Sequence, residues 1–183
     1  MSKFAELKNL EVSWSTCTRC PLSETRRRVV FGRGGVRHCH ILFIGEGPGK
    51  SEDLRGRPFC GPSGKLFDYA MKVAAERCDF RIPIHYVINI VGCRPTDEKY
   101  GPNRKPNSDE ILACTDRVVH TERILKPAIV VFLGRTAETA LRRVFPQGIA
   151  LRHPAYVLRV GGRESGEFRI LVRGLMDVFR KEA

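Results

Sequence analysis

The side chains best suited to chemistry fall into two sets. The first is cysteine. Cys17-Thr18-Arg19-Cys20 forms a knuckle followed by Pro21, and Cys93 and Cys114 come far downstream. Four thiolates in this arrangement can hold a metal ion or an iron–sulfur cluster. Ligand identity does not separate zinc from [4Fe–4S]. Structural zinc more often uses two close knuckles, and here twenty residues lie between the second pair. A thioredoxin-type redox pair opens a helix just after a strand, whereas this knuckle precedes the first strand pattern. Cys39, Cys60 and Cys78 lack ligand spacing and read as small apolar residues.

The second set surrounds glycine. Gly45-Glu46-Gly47-Pro48-Gly49-Lys50-Ser51-Glu52-Asp53 runs on through Gly56-Arg57-Pro58-Phe59-Cys60-Gly61-Pro62-Ser63-Gly64. Glycines let a ligand approach the backbone and its N–H groups. The helix expected from Pro62 is not opened by Gly-Lys-Ser/Thr, so this is not a Walker A loop. Pro48 and three acids crowd the position a dinucleotide phosphate would need. A carboxylate such as Glu46 suits orienting a water or stabilising a developing cation, unless the loop is a tight turn with a solvated acidic patch. Phe59 can stack on a planar ligand or serve the core. Asn89 lies inside an apolar strand, where its amide needs partners. It can read a base edge with one donor and one acceptor, or bond to a neighbouring loop. His153 precedes Pro154 and by itself reads as an ordinary loop histidine.

These residues need elements to position them. Helical spacing covers Lys3 to Trp14, Pro62 to Cys78, Asn107 to Leu125, Arg135 to Val144 and Arg169 to Lys181. Apolar runs at His40 to Ile44, His85 to Val91 and Ile129 to Leu133 read as buried strands, and Gly148 to Leu151 as a short fourth. Strands alternating with helices predict an α/β fold: one three-layer domain over residues 1–183, with a central, mostly parallel four-stranded sheet flanked by helices. In such sheets functional loops lie at the C-terminal strand ends, where the glycine loop, Asn89 and His153 fall. Arg94 to Ser108 is an irregular stretch of functional-loop length.

Composition narrows the partners. The 183 residues carry 32 Lys+Arg against 20 Asp+Glu, a formal net charge of +12. Arg predominates, which favours planar contacts to phosphate. Residues 1–37 are net +5, residues 38–116 neutral and residues 117–183 net +7. Two basic flanks around a balanced middle suit a phosphate-facing surface around a pocket. The longest apolar run, Ala128 to Leu133, is far too short for a bilayer, so no membrane partner is expected. Met1 to Val12 holds two Lys and two Glu and is no signal peptide. The expected location is the cytoplasm, associated with a prokaryotic or viral nucleoid.

Six segments now stand in one order: Cys17-x-x-Cys20-Pro-Leu, Gly45-Glu-Gly-Pro-Gly-Lys-Ser-Glu-Asp, Gly56-Arg-Pro-Phe-Cys-Gly-Pro-Ser-Gly, Asn89-Ile-Val-Gly-Cys93-Arg-Pro, Pro102-Asn-Arg-Lys-Pro followed by Cys114, and His153-Pro-Ala-Tyr-Val-Leu-Arg. Together they resemble the family-4 (iron–sulfur) uracil-DNA glycosylases, over nearly the whole chain. The resemblance implies the uracil-DNA glycosylase-like fold and excision of flipped-out uracil from DNA by hydrolysis of the N-glycosidic bond, leaving an abasic site. It implies a [4Fe–4S] cluster on Cys17, Cys20, Cys93 and Cys114. It gives Gly45, Glu46, Gly47, Phe59, Asn89 and His153 to uracil binding, and Glu46, His153 and Glu52 to catalysis. Arg159, Arg104 and Lys105 are expected to touch DNA, single- or double-stranded, in a monomeric enzyme. The chain departs from the pattern in three places. Residue 92 is Gly where a basic residue is expected, residue 60 is Cys where an aliphatic one is, and Thr96 to Gly101 lengthens the loop. The competing readings are a glycosylase-like module that binds DNA or a modified base without cutting, and a zinc-stabilised nucleotide-binding protein.

Overall fold

The structure is a computed structural model and describes residues 1–182. In chain order the elements are α1 (Lys3–Ser15), α2 (Leu22–Thr25), β1 (Arg33–Gly34), β2 (Ile41–Gly45), α3 (Lys50–Arg55), α4 (Pro62–Cys78), β3 (His85–Asn89), α5 (Ser108–Leu125), β4 (Ile129–Leu133), α6 (Arg135–Leu141), β5 (Ile149–Leu151), α7 (Pro154–Arg159), a 3-10 turn at Gly162–Glu164, and α8 (Gly166–Glu182).

Local chemistry sets the boundaries. Every residue of β2 is buried, as a continuous apolar run requires when helices cover both faces. Asn107 caps α5 by accepting the Glu110 N–H at 2.9 Å, and the Glu110 carboxylate accepts the Asn107 N–H at 2.9 Å in return. Pro127 prevents that helix from continuing, and Lys126 turns the chain at φ +50°.

The sheet has five strands in the order β1-β3-β2-β4-β5. The extra strand is the two-residue β1, which pairs antiparallel with β3 through Arg33↔Val87 and Gly34↔Tyr86, while all other pairs are parallel. One face packs on α4, α7 and α8, with Phe43, Phe67, Leu171 and Phe179 in its core. The other carries α1, α5 and α6, with Leu42, Ile44, Val118 and Leu141 in its core. From the central β2 the chain first builds β3 on one side, then crosses to build β4 on the other. The point of reversal lies at the C-terminal ends of β2 and β4, where sheets of this kind hold ligands.

Four expectations need adjusting. The β3 run stops at Asn89, because Ile90 and Val91 bond instead to the Gly45 and Glu46 carbonyls of the loop beyond β2. α6 ends at Leu141 and α8 begins three residues early. Finally, Gly49-Lys50-Ser51 does open a helix, the short α3 with Gly49 as its cap. It remains unlike a phosphate loop: the glycine expected five residues before Gly49 is Ile44, and the Glu52 carboxylate takes the Gly49 N–H at 3.1 Å. Among the described residues no helix is long and apolar enough to cross a membrane.

Candidate active site and cysteine centre

The C-terminal ends of β2, β3, β4 and β5 open into a cleft of about 1170 Å³. Glu46, Gly47, Glu52, Phe59, Asn89, Arg104, Lys105, His153 and Arg159 all line it. Gly45 stands behind them. It pairs with Asn89 in the sheet register, and a Cβ there would sit 2.5 Å from Asn89 Oδ1 and 2.7 Å from the Phe59 ring. Any side chain at 45 would displace both groups, so glycine is required for close packing.

Asn89 ends β3 with 4% exposure, and its side-chain amide makes no hydrogen bond among the described residues. The residue is buried but its amide opens on the cleft, so its donor and acceptor are left for water or a ligand. Phe59 has left-handed backbone at φ +53°, a strained conformation for a bulky residue. Gly64 makes it possible: a Cβ there would lie 1.9 Å from the Phe59 carbonyl oxygen. The Phe59 ring rests 5.7 Å from that of Phe67, centroid to centroid.

His153 caps α7, and its Nδ1 accepts the Ala155 N–H at 3.0 Å. The neutral ring therefore carries its proton on Nε2, as a donor. Burial holds its pKa below the ordinary histidine value; the nearby Glu46 opposes this and Arg159 reinforces it. Glu46 is fixed by Thr136, whose hydroxyl donates to Oε2 at 2.5 Å across the reversal point of the sheet. Gly134, at φ +92°, lets β4 pass His153, where a Cβ would meet that of the histidine at 2.8 Å.

The two carboxylates of the glycine loop differ. Glu52 is buried, and each oxygen accepts a backbone N–H, from Gly49 at 3.1 Å and from Gly61 at 2.9 Å. Its geometry is that of a brace between α3 and the Phe59 turn. Arg104 lines the cleft and is also tied down. Its guanidinium donates to both Glu110 oxygens, at 2.8 and 2.6 Å, and to Asp97 at 2.5 Å, so it joins the Thr96–Gly101 loop to the start of α5. Arg94 secures the same loop, donating to Asn103 Oδ1 and to the Gly101 carbonyl, both at 2.6 Å. The longer loop is thus wired internally. Sequence reasoning missed Thr136 and Gly134. The one available signal was that Leu133-Gly134 repeats the strand-then-glycine pattern of Ile44-Gly45.

The cysteines lie away from this cleft, on the α1/α5 side of the sheet. Cys17 follows α1, Cys20 precedes α2, Cys93 leaves the β3 exit, and Cys114 sits on α5, all within one apolar cluster. Burial raises the Cys20 thiol, and Cys114 and Cys17 add to the rise. Burial pushes Cys93 up to about 12, with Cys114 and Cys20 adding and Arg26 and Arg117 opposing. Among the described residues no group of three or more His, Cys, Asp or Glu is placed to hold a metal ion. The surroundings nevertheless suit a negatively charged group. Arg26 Nη1 approaches Cys93 Sγ at 3.6 Å, and buried Arg117 has two nitrogens, Nε and Nη1, without a partner.

Comparison with known proteins identifies the family. Over 137 residues the chain is 34% identical to a type-4 uracil-DNA glycosylase of Pyrobaculum aerophilum, covering 74% of this chain and 64% of that one. It is 39% identical over 121 residues to a type-4 uracil-DNA glycosylase of Thermotoga maritima, covering 66% and 58%. With a similarly named protein of Archaeoglobus fulgidus it shares 34% over 131 residues, covering 71% and 60%. The chain thus spans about three fifths of the length of the curated relatives it matches. The family model of the uracil DNA glycosylase superfamily matches residues 31–173, so the chain belongs to the uracil DNA glycosylase superfamily.

Proposed function

We propose that this protein is a uracil-DNA glycosylase of the iron–sulfur type, acting on flipped-out uracil in single- or double-stranded DNA. The observation that carries the reading is the unpartnered Asn89 amide, set in one cleft with Phe59, His153 and Glu46. A base stacked in a duplex is out of reach, so the nucleotide turns out of the helix at a cost of a few kcal/mol. Arg159 and Lys105 on the cleft rim suit the flanking phosphates. Arg104 shapes the loop that carries Lys105.

Uracil then lies against Phe59. The Asn89 amide donates to O4 and accepts from N3–H, an order that cytosine reverses. Water held by Glu46 adds its oxygen to C1′ as the C1′–N1 bond breaks. One water proton passes to Glu46, and the departing base keeps the bonding electrons. His153 Nε2–H meets the charge growing on O2, as a preplaced oxyanion donor. Glu52 contributes by holding Gly49 and Gly61 in place. Cys17, Cys20, Cys93 and Cys114 would hold the [4Fe–4S] cluster. Bound there, it supplies a cross-link between the N-terminal segment, the β3 exit and α5.

The test is incubation with a uracil-containing oligonucleotide, then cleavage of abasic sites with alkali. Scission at uracil is expected. Intact strands would overturn the reading, and a band shift without scission would replace it with that of a binding module.

A further inference from the structure

Arg117 lies one turn after Cys114 on α5, with 1% exposure, and is among the largest fully buried side chains of the protein. Its Nη2 donates to the Asn89 carbonyl at 2.6 Å and to that of Ile90 at 3.2 Å. Its Nε and Nη1 meet no acceptor, and it forms no ion pair with a carboxylate among the described residues. The guanidinium lies against the Gly92 backbone, where a Cβ would come within 3.2 Å of Nε and 3.3 Å of Cζ. The neighbour of Gly92 is Cys93, and a second guanidinium, that of Arg26, reaches Cys93 from elsewhere while Arg26 Nη2 holds the Cys17 carbonyl at 2.7 Å. A buried cation costs several kcal/mol unless a negative group answers it. Carbonyl dipoles answer Nη2; the two free nitrogens, beside the Gly92-Cys93 backbone and one turn from Cys114, are answered only by negative charge gathered on those cysteines.

Four thiolates around a [4Fe–4S]²⁺ core leave a net charge of about −2, and such charge sets both the potential and the stability of a cluster. We infer that Arg117 is a positioning residue with two duties, serving as counter-charge to a cluster on Cys93 and Cys114 and as the clasp that holds the Asn89 backbone at the base pocket. The inference rests on the cluster reading given above. It makes Arg117 the physical link between the two centres. Gly92 is the complementary residue, since a side chain there would press on the guanidinium and on Val29.

The test compares the wild type with Arg117→Met, Arg117→Lys and the double variant Arg117→Met/Gly92→Lys, each purified without air. Three quantities are read: bleaching of the band at about 400 nm by a chelator, the cluster midpoint potential, and the affinity for free uracil. In Arg117→Met the potential moves negative, bleaching quickens roughly tenfold and uracil binds roughly tenfold more weakly. Arg117→Lys keeps the charge but not the two-carbonyl clasp, so it retains the potential and loses uracil affinity. The double variant restores charge from the opposite wall and recovers the potential without recovering uracil affinity. A wild-type band with unchanged potential and bleaching in Arg117→Met overturns the counter-charge role and leaves the cluster reading intact. Absence of the band in the wild type overturns both. Wild-type uracil affinity in both single variants overturns the clasp. If Arg117→Met does not fold, Arg117→Gln takes its place, and a wild-type potential in that uncharged variant overturns the counter-charge role.

Discussion

The cleft and the cysteine centre are built on opposite principles. In the cleft, each working side chain is fixed on one side by the fold and left free on the other. Glu46 is held by Thr136, His153 by the Ala155 N–H, and Asn89 by the chain around Gly45, while an oxygen, an Nε2–H and an amide face open space. In the cysteine centre the groups turn inward: Cys93, Cys114 and Arg117 are buried, and Cys17, Cys20 and Arg26 are half-buried. Thiols and guanidiniums are folded inward among Trp14, Leu22 and Val118. Groups that must meet a substrate are preorganised but unsatisfied; groups that serve stability are enclosed.

That contrast can be broken by substitution, and the expected effects descend in size. Asn89→Asp replaces the amide donor with a carboxylate facing uracil O4. Excision is expected to fall at least about 1000-fold with little change in melting temperature. A matching loss of thermal stability would show that Asn89 belongs to the structural half. Glu46→Gln should lower kcat about 100-fold, again with the fold intact, as measured in single-turnover reactions.

Glu52→Gln sharpens the comparison within one loop. One side-chain oxygen becomes an amide facing a backbone N–H, so denaturant titration should show a loss of about 1–3 kcal/mol. Single-turnover rates should change far less than in Glu46→Gln; an equal rate loss would return Glu52 to the chemistry.

The smallest effect concerns pH. The folded-state pKa of His153 lies below its unfolded value, so the folded protein resists protonation there. Its contribution to stability is complete above about pH 6.5 and is lost as pH falls through the folded value, with a slope of at most about 1.4 kcal/mol per pH unit. His153→Asn should flatten that part of a stability profile. A profile unchanged between about pH 5 and 7 would place the histidine in solvent.

Much of this was legible beforehand, for identifiable reasons. α4 and β4 have the bounds their patterns predict, because proline opens α4 and a pure apolar run defines β4. Glu46 stands out as a carboxylate in a glycine loop and Asn89 as an amide in an apolar strand, whereas His153 by itself is an ordinary loop histidine and takes its role only from the resemblance. β1 does not stand out, since a two-residue strand takes its identity from Tyr86 and Val87 across from it. Thr136 reads as an ordinary first-turn residue, and Arg117 as one more arginine on a polar helix face. Their meaning comes from where the sheet order delivers them. For the same reason the ion pairs of Arg104 with Glu110 and Asp97, formed at the cleft wall, are not legible from its neighbours in sequence.

The sheet order also has a consequence in time. The wall made of Gly45, Phe59 and Asn89 is built from β2, β3 and the segments between them, with Arg117 of α5 added behind Asn89. The opposite wall, with Thr136 and His153, waits for β4 and β5 to be synthesised. A chain emerging from the ribosome therefore presents the Asn89 wall of the cleft before the His153 wall, and the cleft is complete only late in synthesis.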